Sequence, residues 1–353
     1  MANSAISISG KNIGSGFAPF IIAEMSGNHN QSLARALRIV DAAAECEVQA
    51  VKLQTYTADT ITLNVKSEDF FIDDPENLWK GSYLHTLYQR ASTPWEWHVP
   101  IFKRCRELGL ICFSTPFDET AVDYLEELDV PCYKIASFEI GHLPLIRKAA
   151  STGKPLIIST GMATLAELDQ AVWTAREAGC QELILLKCTS AYPADPRESN
   201  ILTIPHLGDL FGCQVGLSDH TPGIGVALAA VALGATIIEK HFTLSRAEGG
   251  VDAAFSLEPP EMQDLVEESR RAWESLGKVS YGPSGKEKAS LKFRRSLYVA
   301  EDMQAGDVFN EKNLRVVRPG YGLPPKYFDL LIGKRIKKDA RKGTPVGWAF
   351  LMD

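Results

Sequence analysis

One repeated pattern restricts the fold more than anything else in this sequence. A short, nearly continuous apolar run ends in polar residues and gives way to a helical pattern, and this happens eight times. The runs fall at 20–24, 50–54, 111–115, 132–136, 155–159, 183–189, 213–218 and 236–241. Parallel strands covered on both faces look like this. Helical patterns lie between them at 32–45, 94–108, 119–128, 143–151, 164–178, 225–233 and 259–276, with a weaker one over 201–211. Thr164-Leu165-Ala166-Glu167 has capping-box spacing, and Gly179 stands where that helix should stop. Eight βα units in about 280 residues predict an α/β protein, a (β/α)8 TIM barrel. A doubly wound sheet would want a glycine-rich first turn. No G-x-G-x-x-G follows the first run, Gly223-Ile224-Gly225 lacks the third glycine, and there is no P-loop.

The barrel is expected over 1–280, followed by a linker at 281–293 in a stretch rich in Gly, Ser and Lys. From 294 to 353, turn signals recur every few residues (Gln304-Ala305-Gly306-Asp307, Arg318-Pro319-Gly320, Lys342-Gly343-Thr344-Pro345), predicting a small β-rich module. It carries 12 basic and 7 acidic residues, a surplus of +5 on a chain whose net charge is −7. Such a tail suits either an uneven solvated surface or the delivery of arginine to an anionic ligand. The connection after the second strand, 55–83, is unusually long and polar and contains Asp73-Asp74-Pro75-Glu76 and Trp79. A barrel connection of that length is expected to be a lid.

Composition excludes other classes. With 45% hydrophobic and 23% charged residues, the 353-residue chain is neither disordered nor fibrous. The acidic balance speaks against a nucleic-acid partner. No apolar h-region opens the chain, and the longest apolar stretch, near 224–235, is too short to span a bilayer. No membrane partner is expected. The seven scattered cysteines lack any Cys-x-x-Cys and read as buried thiols of a reducing cytoplasm.

Barrel chemistry sits at the C-terminal ends of the strands. In order, those ends carry Glu24, then Lys52 and Gln54, Ser114-Thr115, Lys134 with Ser137 and Glu139, Ser159, Ser190 and Tyr192, Ser218-Asp219-His220, and Glu239-Lys240-His241. Two lysines inside strands need negative partners. Glu24 and Glu239 are one answer, as plain salt bridges. With hydroxyls at Thr115, Ser137, Ser159, Ser190 and Ser218, a phosphate or carboxylate ligand is the other. His220 and His241 end neighbouring strands. With carboxylates nearby they suit a divalent metal of the Mn or Zn type, a hydrogen-bonded structural pair, or a general base.

These residues resemble the sialic acid synthase family. The resemblance is carried by Ile22-Ala23-Glu24 with Asn28-His29, Val51-Lys52-Leu53-Gln54-Thr55, Ser114-Thr115-Pro116-Phe117-Asp118 and Tyr133-Lys134-Ile135-Ala136-Ser137. It continues in Ser159-Thr160-Gly161-Met162, Cys188-Thr189-Ser190, Leu217-Ser218-Asp219-His220-Thr221 and Glu239-Lys240-His241-Phe242-Thr243. Arg294-Arg295-Ser296-Leu297 and Arg318-Pro319-Gly320-Tyr321-Gly322 resemble its C-terminal antifreeze-like (SAF, β-clip) domain. Glu24-Met25-Ser26-Gly27-Asn28-His29-Asn30, Thr93-Pro94-Trp95-Glu96-Trp97-His98 and the segment 249–259 favour the pseudaminic acid branch. Ser190 stands where the sialic branch commonly has Asn.

The resemblance implies an enzyme that condenses phosphoenolpyruvate with an open-chain amino sugar, here 2,4-diacetamido-2,4,6-trideoxy-L-altrose, releasing phosphate. It implies that Lys52, Thr115, Lys134, Ser137, Ser159, Ser190 and Ser218 hold phosphoenolpyruvate. Gln54, Tyr192, Asp252 and Arg318 would meet the sugar. His220 and His241 would hold Mn2+ or Mg2+, or Co2+, and Glu24, Glu139 and Glu239 would be the catalytic carboxylates. It places Arg318 over the site of the other subunit, in a domain-swapped homodimer. The same chemistry on another sugar (an N-acetylneuraminate or legionaminic acid synthase) is the nearest alternative. A Schiff-base aldolase using Lys134 or Lys52, or a carbohydrate-binding protein, stands further off.

Overall fold

A computed structural model describes residues 4–352. The chain divides into two compact units, Met1–Gly277 and Lys278–Asp353. The first opens with an antiparallel hairpin, β1 (Ile6–Ile8) and β2 (Lys11–Ile13). As the repeat predicts, eight parallel strands then close a barrel. They are β3 (Phe20–Glu24), β4 (Ala50–Thr55), β5 (Ile111–Pro116), β6 (Tyr133–Ile135), β7 (Leu156–Ser159), β8 (Leu183–Cys188), β9 (Gln214–Asp219) and β10 (Ile237–His241). β10 pairs with both β9 and β3 and closes the ring.

The helices follow the apolar stripes. They are α1 (Leu33–Glu45), α2 (Ala58–Ile61), α3 (Leu84–Ala91), α4 (His98–Glu107), α5 (Glu119–Glu127), α6 (Leu143–Ala150), α7 (Leu165–Glu177), α8 (Thr203–Phe211), α9 (Gly225–Ala232) and α10 (Pro259–Leu276). Thr164 and Glu167 form the reciprocal capping box that starts α7, and Gly179, at φ +103°, follows its C-terminus. The weak sixth pattern is a full helix, α8, whose apolar side buries Ile204, Leu207 and Phe211. The pattern over 94–108 is broken into a 3-10 turn, Trp95–Trp97, and α4, because Pro94 sets the entry. α3 was not legible as a separate helix, and neither was the hairpin at the N-terminus.

Alternation along the strands divides the core in two. Residues pointing outward, such as Val51, Leu53, Ile158 and Leu185, pack under the helices in one large apolar cluster. Residues pointing inward form a second cluster that fills the N-terminal half of the barrel: Phe20, Ile22, Ala50, Phe113, Ile157, Ile184, Leu186 and Ile237. Ile6, Ile8 and Ile13 of the hairpin belong to it and are buried, so β1 and β2 plug that end. Gly216 has no side chain because a Cβ there would strike the Ile237 carbonyl and Leu186. Further along the same inward rows the residues turn polar: Glu24, Lys52, Gln54, Thr115, Lys134, Ser159, Ser218, Glu239 and His241. The barrel therefore has a dry end and a charged end, and the site is at the charged end.

In the second unit β11 (Ser296–Val299) pairs antiparallel with β12 (Leu314–Val317). Leu297, Val299, Phe309, Leu314, Ile336 and Val346 form its own small core. A one-turn helix, α11 (Phe328–Leu331), adds Leu331. Among the described residues no helix is long and apolar enough to cross a membrane.

Two buried histidines brace the connections. His29 lies 3.1 Å from Thr93 Oγ1 and accepts at Nδ1 from the Gln31 amide, and His98 Nε2 lies 2.8 Å from Thr55 Oγ1. Burial, aided at His29 by the neighbouring His98, brings both rings down to about 4. The unfolded chain therefore takes up protons that the folded chain refuses as pH falls from about 6.5 toward 4, and stability falls with pH across that window. Urea midpoints should drop between pH 7 and pH 5 by the equivalent of roughly 2 kcal/mol per ring. A His98→Gln variant should show a shallower slope.

Candidate active site

Register, not sequence spacing, assembles the site. Glu24 on β3 is opposite Lys52 on β4 and opposite His241 on β10. Gln54 is opposite Thr115, Glu239 is opposite Ser218, and Ser218 is opposite Cys188. One cavity at this end of the barrel is lined by Lys52, Gln54, Thr115, Lys134, Ser137, Ser159, Tyr192, Ser218, His220, Glu239 and His241. Phe117, Ala136, Phe138 and Cys188 line it as well. Eleven of the sixteen candidate residues thus share one pocket.

Both readings of the two lysines are present together. Lys52 Nζ lies 2.6 Å from Glu24 Oε2 and 3.6 Å from Glu239 Oε1, and donates to Thr115 Oγ1 at 3.1 Å. Lys134 Nζ donates to Ser159 Oγ at 2.7 Å and sits 3.5 Å from Glu239 Oε1. Ser218 donates to Glu239 at 3.4 Å. The ions are within a few per cent of full burial. Burial alone would neutralise them, and the opposing charges decide the outcome. Burial favours neutral Lys52, yet Glu239 and Glu24 raise its affinity for protons. Burial likewise works against the Glu239 anion, yet Lys134 and Lys52 lower its pKa. Burial brings Glu24 up to about 6 against the pull of Lys52. Two cations and two anions leave this cluster neutral, so a multiply charged anion entering it would need a further positive charge.

The histidines can supply a place for that charge. His220 Nδ1 is 3.0 Å from the Thr189 carbonyl, which can only accept, so Nδ1 carries a proton. Burial works against a second proton on the ring, yet Cys188 and the Thr189 carbonyl raise its pKa. Burial, then the charges of His220, Lys52 and Lys134, keeps His241 neutral. Its Nδ1 is buried with no hydrogen-bond partner, 3.9 Å from Asp252 Oδ2. The two ring centroids are 5.3 Å apart. His241, kept neutral with an orphaned nitrogen, and the Nε2 of His220 when that ring is in its neutral form are the nitrogens that fit a divalent cation. Among the described residues no cluster of three or more His, Cys, Asp or Glu is arranged to hold one, so the protein's share would be these two rings.

Five candidates lie outside the cavity wall. Glu24 sits behind Lys52 as its counter-ion. Ser190 flanks Gly161, where a Cβ would collide with both Ser190 Oγ and Ser137 Oγ, and the Gly161 amide donates to Ser137 at 3.1 Å. Asp252 is buried and accepts from the Ser26 hydroxyl. Glu139 is on the 3-10 turn Ser137–Glu139, its Oε2 buried without a partner, and burial pushes its carboxyl up to about 7 against the pull of Lys134. Arg318 is exposed in the second unit, just after β12.

Some supports have no local signature in the chain. Lys240 points out of the barrel and is buried; it donates to Asp219 Oδ2 at 2.8 Å and to the Thr221 carbonyl at 2.6 Å. Asp219 in turn accepts from the Thr221 amide and hydroxyl, so the turn bearing His220 is held from behind. Phe255 packs on Tyr192 and His241 at 5.2 and 4.8 Å. Outward Lys240 was legible only as one of three polar residues at a strand end. Replacing Glu239 by Gln would leave Lys134 and Lys52 short of a buried counter-charge. We expect Glu239→Gln to cost about 3–5 kcal/mol in chemical denaturation at pH 7, as breaking one side of a buried pair does.

The chain is similar to known proteins over nearly its whole length. The NeuB family model matches residues 39–281 and the SAF domain model residues 294–352. The chain is 42% identical over 330 residues to the pseudaminic acid synthase of Helicobacter pylori, covering 93% of this chain and 96% of that one. It is 36% identical to the N,N'-diacetyllegionaminic acid synthase of Legionella pneumophila, over 95% of each chain. The crystal structure of an N-acetylneuraminic acid synthetase from Leptospira borgpetersenii, bound to citrate, superposes with a TM-score of 0.72 at 32% identity, covering 83% of this chain and 97% of that one. A barrel with this charged end, followed by this C-terminal module, makes the chain a member of the NeuB family of sialic acid synthase-type enzymes carrying a SAF domain.

Proposed function

We propose that the chain is a transferase that condenses phosphoenolpyruvate with 2,4-diacetamido-2,4,6-trideoxy-L-altrose to give pseudaminic acid and phosphate. The observation that carries this reading is one cavity holding two lysines, a ring of hydroxyls and two histidines. It occurs in a chain 42% identical to a pseudaminic acid synthase over nearly its whole length.

Lys52, Lys134, Thr115, Ser137, Ser159 and Ser218 hold the phosphate and carboxylate of phosphoenolpyruvate, with Ser190 beside them. The ion pairs with Glu24 and Glu239 keep the lysines charged and aimed before substrate arrives. Gln54, Tyr192 and Asp252 hold the open-chain sugar. His220 and His241 would hold a divalent cation, Mn2+, Mg2+ or Co2+, which would supply Lewis acidity toward the aldehyde. The enol carbon bonds to the aldehyde carbon, and the aldehyde oxygen takes a proton. Water adds to the former enol C2, and the resulting tetrahedral carbon expels phosphate to leave the keto group. Of the carboxylates, Glu24 is tied to Lys52, while Glu139 has a free oxygen and gives up its proton near neutrality. Glu139 therefore removes the proton from water. Glu239 orients both lysines. Arg318 reaches the sugar of a second subunit in a domain-swapped homodimer. All seven cysteines are free and buried, in keeping with the cytoplasm.

The test is phosphate release from phosphoenolpyruvate with Mn2+, offering the altrose derivative, N-acetylmannosamine or 2,4-diacetamido-2,4,6-trideoxymannose as acceptor. Release with the altrose derivative alone, abolished by EDTA, is the expected outcome. Release with another sugar alone would keep the chemistry and overturn the branch. Release unaffected by EDTA, or trapping by borohydride, would overturn the metal-assisted mechanism. As base, Glu139 must be ionised, so kcat/KM should rise as pH passes through about 7. Glu139→Gln should lose that limb and about 10²–10⁴ of the rate, the usual range for one acid–base group.

A further inference from the structure

The insertion after β4 carries one side chain that reaches both loops assigned to the sugar. Its stretch 71–83 folds back on itself. The Ile72 amide donates to the Ser82 carbonyl at 3.0 Å and the Gly81 amide to the Ile72 carbonyl at 2.8 Å, while the rings of Phe71 and Tyr83 meet at 5.0 Å. At its tip the Trp79 amide donates to Asn77 Oδ1 at 2.9 Å, so the tryptophan stands on a built turn. The Trp79 indole N–H donates to the Val251 carbonyl at 2.8 Å. Its ring packs on that of Tyr192 at 5.7 Å.

Val251 precedes Asp252, and Tyr192 lies against His220 at 4.5 Å. Asp252 is held from below by Ser26 and, through its carbonyl, by the Ser256 hydroxyl at 2.6 Å. The approach to Val251 is through Gly249 and Gly250, at positive φ values of 71° and 141° that favour glycine. The hydrogen bond from Trp79 ties this loop to the β4 insertion, beside the ties it receives from Ser26 and Asn30 of the first βα loop. Among the described residues, the indole bond and this ring contact fall on the loops of Tyr192 and Asp252, not on Lys52 or Lys134.

We propose that Trp79 is a positioning residue for the sugar subsite, fixing Tyr192 and Asp252 against each other while leaving the phosphoenolpyruvate side untouched. This rests on the reaction proposed above. The ring contact sets the depth at which Tyr192 stands, and the N–H bond sets the height of the Asp252 loop. An acyclic amino sugar, with many rotatable bonds, needs both walls fixed before it binds productively.

Steady-state kinetics of the full chain test this, with hydrogen exchange as a second readout. Trp79→Ala should raise the KM for the amino sugar about tenfold, as expected when a hydrogen bond and a ring contact are both lost. The KM for phosphoenolpyruvate should stay within twofold. Trp79→Phe keeps a ring on Tyr192 and loses only the N–H bond, so it should recover about half of that loss on a logarithmic scale. Amides of 249–256 should exchange faster in both variants while the barrel strands exchange as in the parent chain. Parallel rises in both KM values, unchanged sugar KM, or unchanged exchange at 249–256 would each overturn the proposal. If the parent chain turns over no amino sugar at all, the functional reading falls, and the exchange comparison still decides whether Trp79 holds the loop.

Discussion

Two lysines and two glutamates buried inside a barrel make the charged end of this fold. Lys52 and Lys134 are fully enclosed, and each would be several kcal/mol unfavourable alone. They are tolerated because Glu24 and Glu239 stand within 2.6–3.6 Å. That proximity exists only when β3, β4, β6 and β10 keep their register. A one-residue slip of any strand would turn its charge out among the apolar side chains under the helices. The ion cluster and the apolar cluster beneath it therefore reinforce one register: the isoleucines want the plugged end, and the charges want the open end.

The same arrangement explains why binding chemistry and structural chemistry coincide here. The cluster is neutral as it stands, so it is stable without a ligand. It also aims two ammonium groups into a cavity: the carboxylates raise the pKa of Lys52, and Glu239 opposes the burial that lowers that of Lys134. His241 is pushed toward neutrality by those very ammonium groups and by burial. The field that prepares the lysines for an anion also leaves an imidazole lone pair available. One set of charges thus shapes two neighbouring subsites.

Behind the cavity, a second set of contacts fixes the loops. Lys240 and Asp219 clamp the turn of His220 from outside the barrel. Ser26 holds Asp252 from the first βα loop, and Trp79 reaches it from the insertion through Val251. The polar side chains at the strand ends are thus held from three directions. None of these supports has a spacing signature, because each joins residues on different elements of the fold, 226 positions apart in the case of Ser26 and Asp252.

The sequence by itself determined the barrel, its eight strands within a residue or two, the small β-rich module and the list of polar residues at the strand ends. Each is written in local pattern: apolar runs, helical stripes and Pro/Gly turns. It could not separate salt bridge from ligand site at Lys52 and Lys134, because one chemistry serves both, and the structure has both at once. It missed the plug of Ile6, Ile8 and Ile13 because three-residue strands are too short to show a period. It missed α3 because Leu84–Ala91 buries only Leu87 and Ala91. Only the tertiary structure decided which carboxylate faces which lysine, that Glu24 stands behind the cavity wall rather than in it, and where Trp79 points. Those are consequences of strand register and loop closure, which join residues that no local pattern in the chain connects.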